Sequence, residues 1–140
     1  MYILGISAFY HDSAACLIRD GEIVAAAHEE RFTRIKHDSR FPNNAIQFCL
    51  KNEKISMDEI SYVSYYEKTR IKFDRLLKTY LMYAPEGFSS FSKALPIWLK
   101  EKLWINKEIR NRLKFNGIVI TPEHHESHAC SAFYASPFQK

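Results

Sequence analysis

Apolar and polar residues alternate from Tyr2 to Phe9, a period of two that predicts a strand. Shorter apolar runs at Ala14 to Ile18 and Glu22 to Ala27 predict two more. The Asp20-Gly21 pair favours a tight hairpin between the second and third, and the polar Tyr10-His11-Asp12-Ser13 turns the chain after the first. These three segments read as an antiparallel meander. A charged stretch from His28 to Arg40 follows, and Pro42 then opens a helix with Ala45, Ile46, Cys49 and Leu50 on one side. Ser56 to Glu59 reads as a capping box on a short turn, and Ile60 to Tyr66 as a fourth strand. Amphipathic segments from Ile71 to Leu77 and from Trp98 to Trp104 predict two or three helices, broken at Pro85-Glu86-Gly87 and at Pro96. Ile118 to Ile120 is predicted as a buried fifth strand. A last helix is expected from Pro122 towards Ala135, with Thr121 as its cap, Pro122 in its first turn and Ser136-Pro137 ending it.

Two strand-helix-strand crossovers added to a meander predict an α/β fold: a mixed five-stranded sheet with helices on both faces. Right-handed crossovers place the later strands beside the first. This order is that of a ribonuclease-H-like half-domain of the actin, sugar-kinase and chaperone-ATPase superfamily. No internal repeat or low-complexity tract interrupts it.

At 140 residues, 46% of them hydrophobic and 14% aromatic, the chain has enough apolar material for an ordered core. No apolar stretch has the length of a membrane span and no basic leader precedes Ile3-Leu4, so a cytoplasmic location without membrane partners is expected. Cys16, Cys49 and Cys130 form no CxxC pair, and each is expected to be a reduced, buried thiol. The net charge of +4 is uneven: Lys68 to Lys114 holds twelve Lys or Arg against four Asp or Glu. Such a block suits nucleic acid, an anionic substrate or an acidic partner, and equally the solvated faces of helices whose apolar sides pack inward.

The densest chemistry is His124-His125-Glu126-Ser127-His128, directly after the last apolar run. His124 and His128 are four apart on one helical face, a spacing at which two imidazoles reach a single divalent ion. The same spacing is also that of an ordinary polar helix face. Glu126 is not the base of an HExxH peptidase, because that position belongs to His125. His125 points away from the pair, since helix neighbours are about 100° apart. In the first turn, His11 is a candidate general base with Asp12 orienting its ring, or the two are plain turn formers. No glycine follows Gly5 in that loop, so it departs from the phosphate-cradling loops of superfamily kinases. Arg31, Arg34 and Lys36 are candidates for an anionic substrate group, or for pairing with Glu29, Glu30 and Asp38.

Leu4-Gly5-Ile6-Ser7, His11-Asp12-Ser13-Ala14-Ala15, Asp20 to Ala25, Glu29-Glu30-Arg31-Phe32-Thr33-Arg34, and His124-His125 with His128-Ala129, Ser131 to Tyr134 and Ser136-Pro137-Phe138 stand in one order along the chain. Together they resemble the N-terminal part of the nodulation-protein and antibiotic O-carbamoyltransferase family. The basic middle carries no motif of that family. The resemblance implies that carbamoyl-adenylate, made from carbamoyl phosphate and ATP in a C-terminal domain, delivers its carbamoyl group to the hydroxyl of a small molecule. It also implies a metal, with iron expected, held by the histidines that match His124 and His128 and by a downstream aspartate. On this reading residues 1–140 are a single N-terminal subdomain with a basic helical insertion at about 68–114. The second lobe and the adenylate-forming domain are expected as missing partners, and the chain alone is expected to be inactive. Two alternatives stand beside it: the related universal tRNA threonylcarbamoyl-transfer proteins, against which the His11 to Ala14 and Glu29 to Arg34 motifs argue, and a non-catalytic half-domain whose basic helices bind a partner.

Overall fold

A computed structural model describes residues 1–100 and 102–137, and the chain divides into two compact units, Met1–Glu67 with Asn116–Lys140 and Lys68–Phe115. Phe138 of the last motif and Glu101 of the basic block lie outside the described residues.

The first unit is built on five strands: β1 (Tyr2–Ser7), β2 (Ala14–Arg19), β3 (Glu22–His28), β4 (Ile60–Tyr65) and β5 (Ile118–Ile120). They lie in the order β3-β2-β1-β4-β5, with β1 to β3 antiparallel and β4 and β5 parallel to β1. The meander follows from local chemistry. Asp20 and Gly21 both take positive φ, 52° and 93°, as a two-residue primed hairpin turn requires. Leu4 and Ile6 of β1 are buried on the same face as Ala15 and Leu17 of β2 and Val63 and Tyr65 of β4, as their register demands. Helix α1 (Glu30–Thr33) is a single turn, and α2 (Asn43–Glu53) closes this face with Ala45, Ile46, Cys49 and Leu50. The opposite face presents the small side chains of Gly5, Ser7, Ala14, Cys16, Ala26 and Ser64. They floor a cavity of about 610 Å³ that is bordered by helix α6 (His124–Tyr134).

Three expectations are corrected in this unit. Ile118 and Ile120 are 59% and 42% exposed, not buried, because β5 is a three-residue strand at the edge of the sheet, paired among the described residues with β4. Helix α6 begins at His124, not Pro122, and its N-cap is Glu123 rather than Thr121; Glu123 N–H donates to Glu126 Oε2 at 3.2 Å in a capping box. Cys130 is exposed on α6, whereas Cys49 is buried and Cys16 half-buried. Burial pushes the Cys49 thiol up to about 11 and that of Cys16 upward as well. A thiol-specific aromatic disulfide at about pH 8 is therefore expected to label Cys130 quickly, Cys16 slowly and Cys49 only after denaturation; fast modification of Cys49 in the native chain would contradict this order.

The loop after β3 is the best-tied irregular segment. Phe9 N–H donates to Ser39 O, Ser13 N–H to Asp38 O and Glu29 N–H to Ser13 O, each at 2.8 Å, which joins residues 29–40 to the turn between β1 and β2. The Asp38 side chain accepts from Arg40 Nη2 (2.6 Å), Arg40 Nε (2.9 Å), Thr33 Oγ1 (2.8 Å) and Arg40 N (3.1 Å). The Arg40 guanidinium, chiefly, holds its carboxyl well below the ordinary 3.8. A depressed folded-state value contributes stability above the unfolded value that is lost as pH falls below it. Urea midpoints measured from about pH 6 to pH 2 should fall more steeply below pH 4 in the native sequence than in Asp38→Asn; parallel curves would remove Asp38 from the acid response.

The second unit contains α3 (Thr69–Tyr83), α4 (Phe88–Lys100) and α5 (Ile105–Leu113). Ring contacts hold its first two helices: Tyr80 stacks on Phe91 at 4.0 Å between centroids, and Phe73 meets Trp98 at 6.0 Å. The predicted break at Pro96 is corrected, since Pro96 lies inside α4. Proline removes one backbone donor and crowds the preceding turn, a cost that packing of a helix face outweighs here. Lys78 pairs with Asp74 and Arg112 with Glu108 one helical turn away, so part of the basic excess is the solvated face of these helices.

Candidate functional site

Parallel β1, β4 and β5 all point the same way, so the segments after each converge at one end of the sheet. These are the turn of residues 8–13, Tyr66-Glu67, and residues 121–124 leading into α6. Ligands bind outside the carboxyl ends of such strands. Tyr65 O–H donates to Ala8 O at 2.8 Å and Ser127 O–H to Tyr66 O at 2.7 Å, which fastens both the first turn and α6 to the end of β4.

His124 and His128 have their Nε2 atoms 3.2 Å apart. Two nitrogens at about 2.1 Å from one ion subtend about 100° at that separation, between octahedral and tetrahedral angles, so the pair fits a shared divalent cation. Among the described residues no third His, Cys, Asp or Glu joins them. His125 is exposed with its ring edge-on to His124, 5.7 Å between centroids, and Glu126 is occupied in capping α6. On the other side of His124, Nδ1 lies 3.3 Å from Glu67 Oε2, a carboxylate 1% exposed at the end of β4. Tyr66 also meets His124 edge-on, and burial pushes its hydroxyl up to about 12.

In the turn, Asp12 stands between two imidazoles: Oδ2 is 2.7 Å from His11 Nδ1 and Oδ1 is 2.8 Å from His37 Nδ1. The hydrogen bonds to His37 and His11 hold the Asp12 carboxyl below its ordinary range. An ionised carboxylate only accepts, so both Nδ1 atoms donate to Asp12, and in the neutral form of either ring the lone pair is then on Nε2. Asp12 and His37 both take left-handed φ, 51° and 55°, a conformation aspartate tolerates through local hydrogen bonding.

Of the predicted site residues, the fold thus brings His11 and Asp12 into one cluster and His124 and His128 into another at the same end of the sheet. Arg31, Arg34 and Lys36 are exposed on α1 and the residues after it, and among the described residues none forms an ion pair. Their suggested partners are committed elsewhere: Asp38 binds Arg40, Glu29 caps α2, and Glu30 accepts from His37 N–H. The sequence pattern singles out neither His37 nor Glu67. A lone acidic residue directly after a predicted strand was the available signal for Glu67, and no local pattern distinguishes His37.

The family described as carbamoyltransferase N-terminus matches residues 2–140. The chain is 50% identical to the uncharacterized protein sll1178 of Synechocystis, over 99% of this chain and 24% of that protein. It is 34% identical to the nodulation protein NolNO of Sinorhizobium fredii, over 96% of this chain and 19% of that one. The uncharacterized protein MJ1051 of Methanocaldococcus jannaschii is 43% identical over a shorter stretch, 39% of this chain. The chain spans about a quarter or less of the length of these curated relatives.

Proposed function

Because the chain belongs to the carbamoyltransferase N-terminus family, we propose that it is the N-terminal part of an enzyme that carbamoylates a small-molecule hydroxyl, using carbamoyl phosphate and ATP by way of carbamoyl-adenylate. The observation that carries this reading is the convergence of a histidine pair spaced for one cation and a carboxylate-held imidazole at the carboxyl ends of parallel strands. His124 and His128 are the residues that hold a divalent ion, iron by family resemblance, and a bound ion supplies Lewis-acid polarisation of the carbamoyl carbonyl. Asp12 accepts from His11 Nδ1–H and so presents Nε2 as the base. In the transfer, the acceptor oxygen bonds to the carbamoyl carbon while the bond to the adenylate oxygen breaks. The adenylate leaves with the electron pair, and His11 Nε2 takes the hydroxyl proton. Arg31, Arg34 and Lys36 draw the anionic donor towards the turn by charge. By family resemblance a second lobe and an adenylate-forming domain complete the enzyme, and the 140 residues by themselves are expected to be inactive.

The test is carbamoyl transfer to a panel of small hydroxyl compounds by the full-length protein that carries this chain, supplied with ATP, carbamoyl phosphate and divalent metal. The expected result is turnover that falls by at least about a hundredfold in His11→Gln, the range for loss of a general base. Carbamoylation of tRNA instead, with salt-dependent tRNA binding, would move the chain to the tRNA-modifying branch. Full activity of His11→Gln would remove the assigned base.

A further inference from the structure

Glu67 belongs to neither histidine cluster by sequence, yet it is the most buried carboxylate near either of them. Its side chain is 1% exposed, just past the carboxyl end of β4, with Oε2 3.3 Å from His124 Nδ1, a close contact short of hydrogen-bond geometry that leaves this buried ring nitrogen with the Glu67 carboxylate as its neighbour. The opposite ring nitrogen of His124 faces His128 Nε2 at 3.2 Å. Burial of a carboxylate is costly unless donors or cations stand beside it. His124 is the first residue of α6, so Glu67 also lies where the positive end of that helix favours an anion.

We infer that Glu67 is the positioning residue of the histidine pair: it holds His124 with Nδ1–H towards its own carboxylate, so that Nε2 is deprotonated and aimed at the position shared with His128 Nε2. The inference rests on the metal reading above. An imidazole that offers Nε2 to a cation must keep its proton on Nδ1, and a carboxylate on that side fixes both the tautomer and the ring plane while raising the basicity of Nε2. Glu67 lies on the Nδ1 side of His124, away from the paired Nε2 atoms, and acts through the ring. The anchoring is mutual: Ser127 O–H to Tyr66 O sets the height of α6 against β4, and the Tyr66 ring closes one side of His124.

The experiment uses this chain and the cation alone. Zn²⁺ and Co²⁺ affinities are measured by calorimetry for the native sequence, Glu67→Gln and His124→Ala. In parallel, the imidazole nitrogens of the metal-free native chain and of Glu67→Gln are recorded by long-range ¹H–¹⁵N correlation at about pH 8. Glu67→Gln keeps the volume and removes the charge, and is expected to bind about ten- to a hundredfold more weakly, the usual effect of losing such a partner. In the metal-free native chain His124 is expected to be mainly the Nδ1–H tautomer, a preference weakened in the variant. Equal affinity together with an unchanged tautomer in Glu67→Gln would overturn the role of Glu67. Absence of binding in the native chain would instead strike the metal reading, while the tautomer of the metal-free ring still decides on Glu67. If Glu67→Gln does not fold, as judged by circular dichroism, the native spectrum decides alone, and an Nε2–H tautomer at His124 overturns the inference.

Discussion

His124→Ala and His128→Ala are each expected to abolish measurable retention of a divalent cation by this chain, and His125→Ala to leave it unchanged. Four-ligand zinc sites release about 10–16 kcal/mol, so each imidazole is worth about 3 kcal/mol. Two of them give dissociation constants of about tens of micromolar, and loss of either weakens binding by about a hundredfold. The native Nε2 separation of 3.2 Å means that little rearrangement is needed before the ion is held, which keeps that estimate from being eroded by ordering costs. His125 has no part in that geometry, and its ring stands edge-on to His124. Calorimetric titration with Zn²⁺ or Co²⁺ reads all three variants. Native affinity in His124→Ala or His128→Ala would separate the pair from metal binding, leaving two imidazoles in contact on a polar helix face.

Glu29→Ala is expected to destabilise the fold by about 3 kcal/mol although Glu29 touches neither cluster. Its carboxylate, 3% exposed, accepts from Asn44 N–H (3.1 Å) and Asn44 Nδ2 (2.7 Å) through Oε1, and from Ala45 N–H (2.8 Å) through Oε2. These are first-turn donors of α2, whose own N-cap is Pro42 and supplies no side-chain acceptor. Removing the carboxylate strands the buried Ala45 N–H at about 1–3 kcal/mol, leaves the part-buried Asn44 donors to water, and takes a negative charge from a helix N-terminus. Glu29→Gln keeps one acceptor oxygen and should cost about half as much. Urea denaturation of both variants measures this, and a loss under about 0.5 kcal/mol in Glu29→Ala would show that water replaces the cap. The Glu29 N–H to Ser13 O bond also ties this residue to the turn that carries His11, so Glu29 at the opening of the Glu29 to Arg34 motif has a structural part in holding α2 and that turn.

What could be read along the chain was local. A two-residue period marks β1, and Asp20-Gly21 with its two positive φ values marks the hairpin. The capping box of Ser56 and Glu59 forms as the residue types suggest. The i, i+4 spacing of His124 and His128 places both imidazoles on one side of α6 because the helical repeat alone does so. Each depends on residues a few positions apart, so backbone geometry determines it before any packing occurs. The mixed order of the sheet followed from the succession of elements and the handedness of crossovers, and the observed strand order agrees with it.

The remaining features were decided by partners distant in sequence. Glu67 meets His124 only because parallel pairing of β4 with β5 delivers the end of one strand to the helix that follows the other. His37 reaches Asp12 because the loop after β3 is tied by backbone hydrogen bonds to the first turn. Ile118 and Ile120 read as buried from their composition and are exposed because β5 is an edge strand, a property of the sheet rather than of the segment. Cys130, likewise, is open because of which face of α6 it occupies. Hydrophobicity and period specify what a segment becomes, whereas burial, tautomer and the neighbours of a charge depend on which other segments are brought against it, and only the folded chain sets those distances.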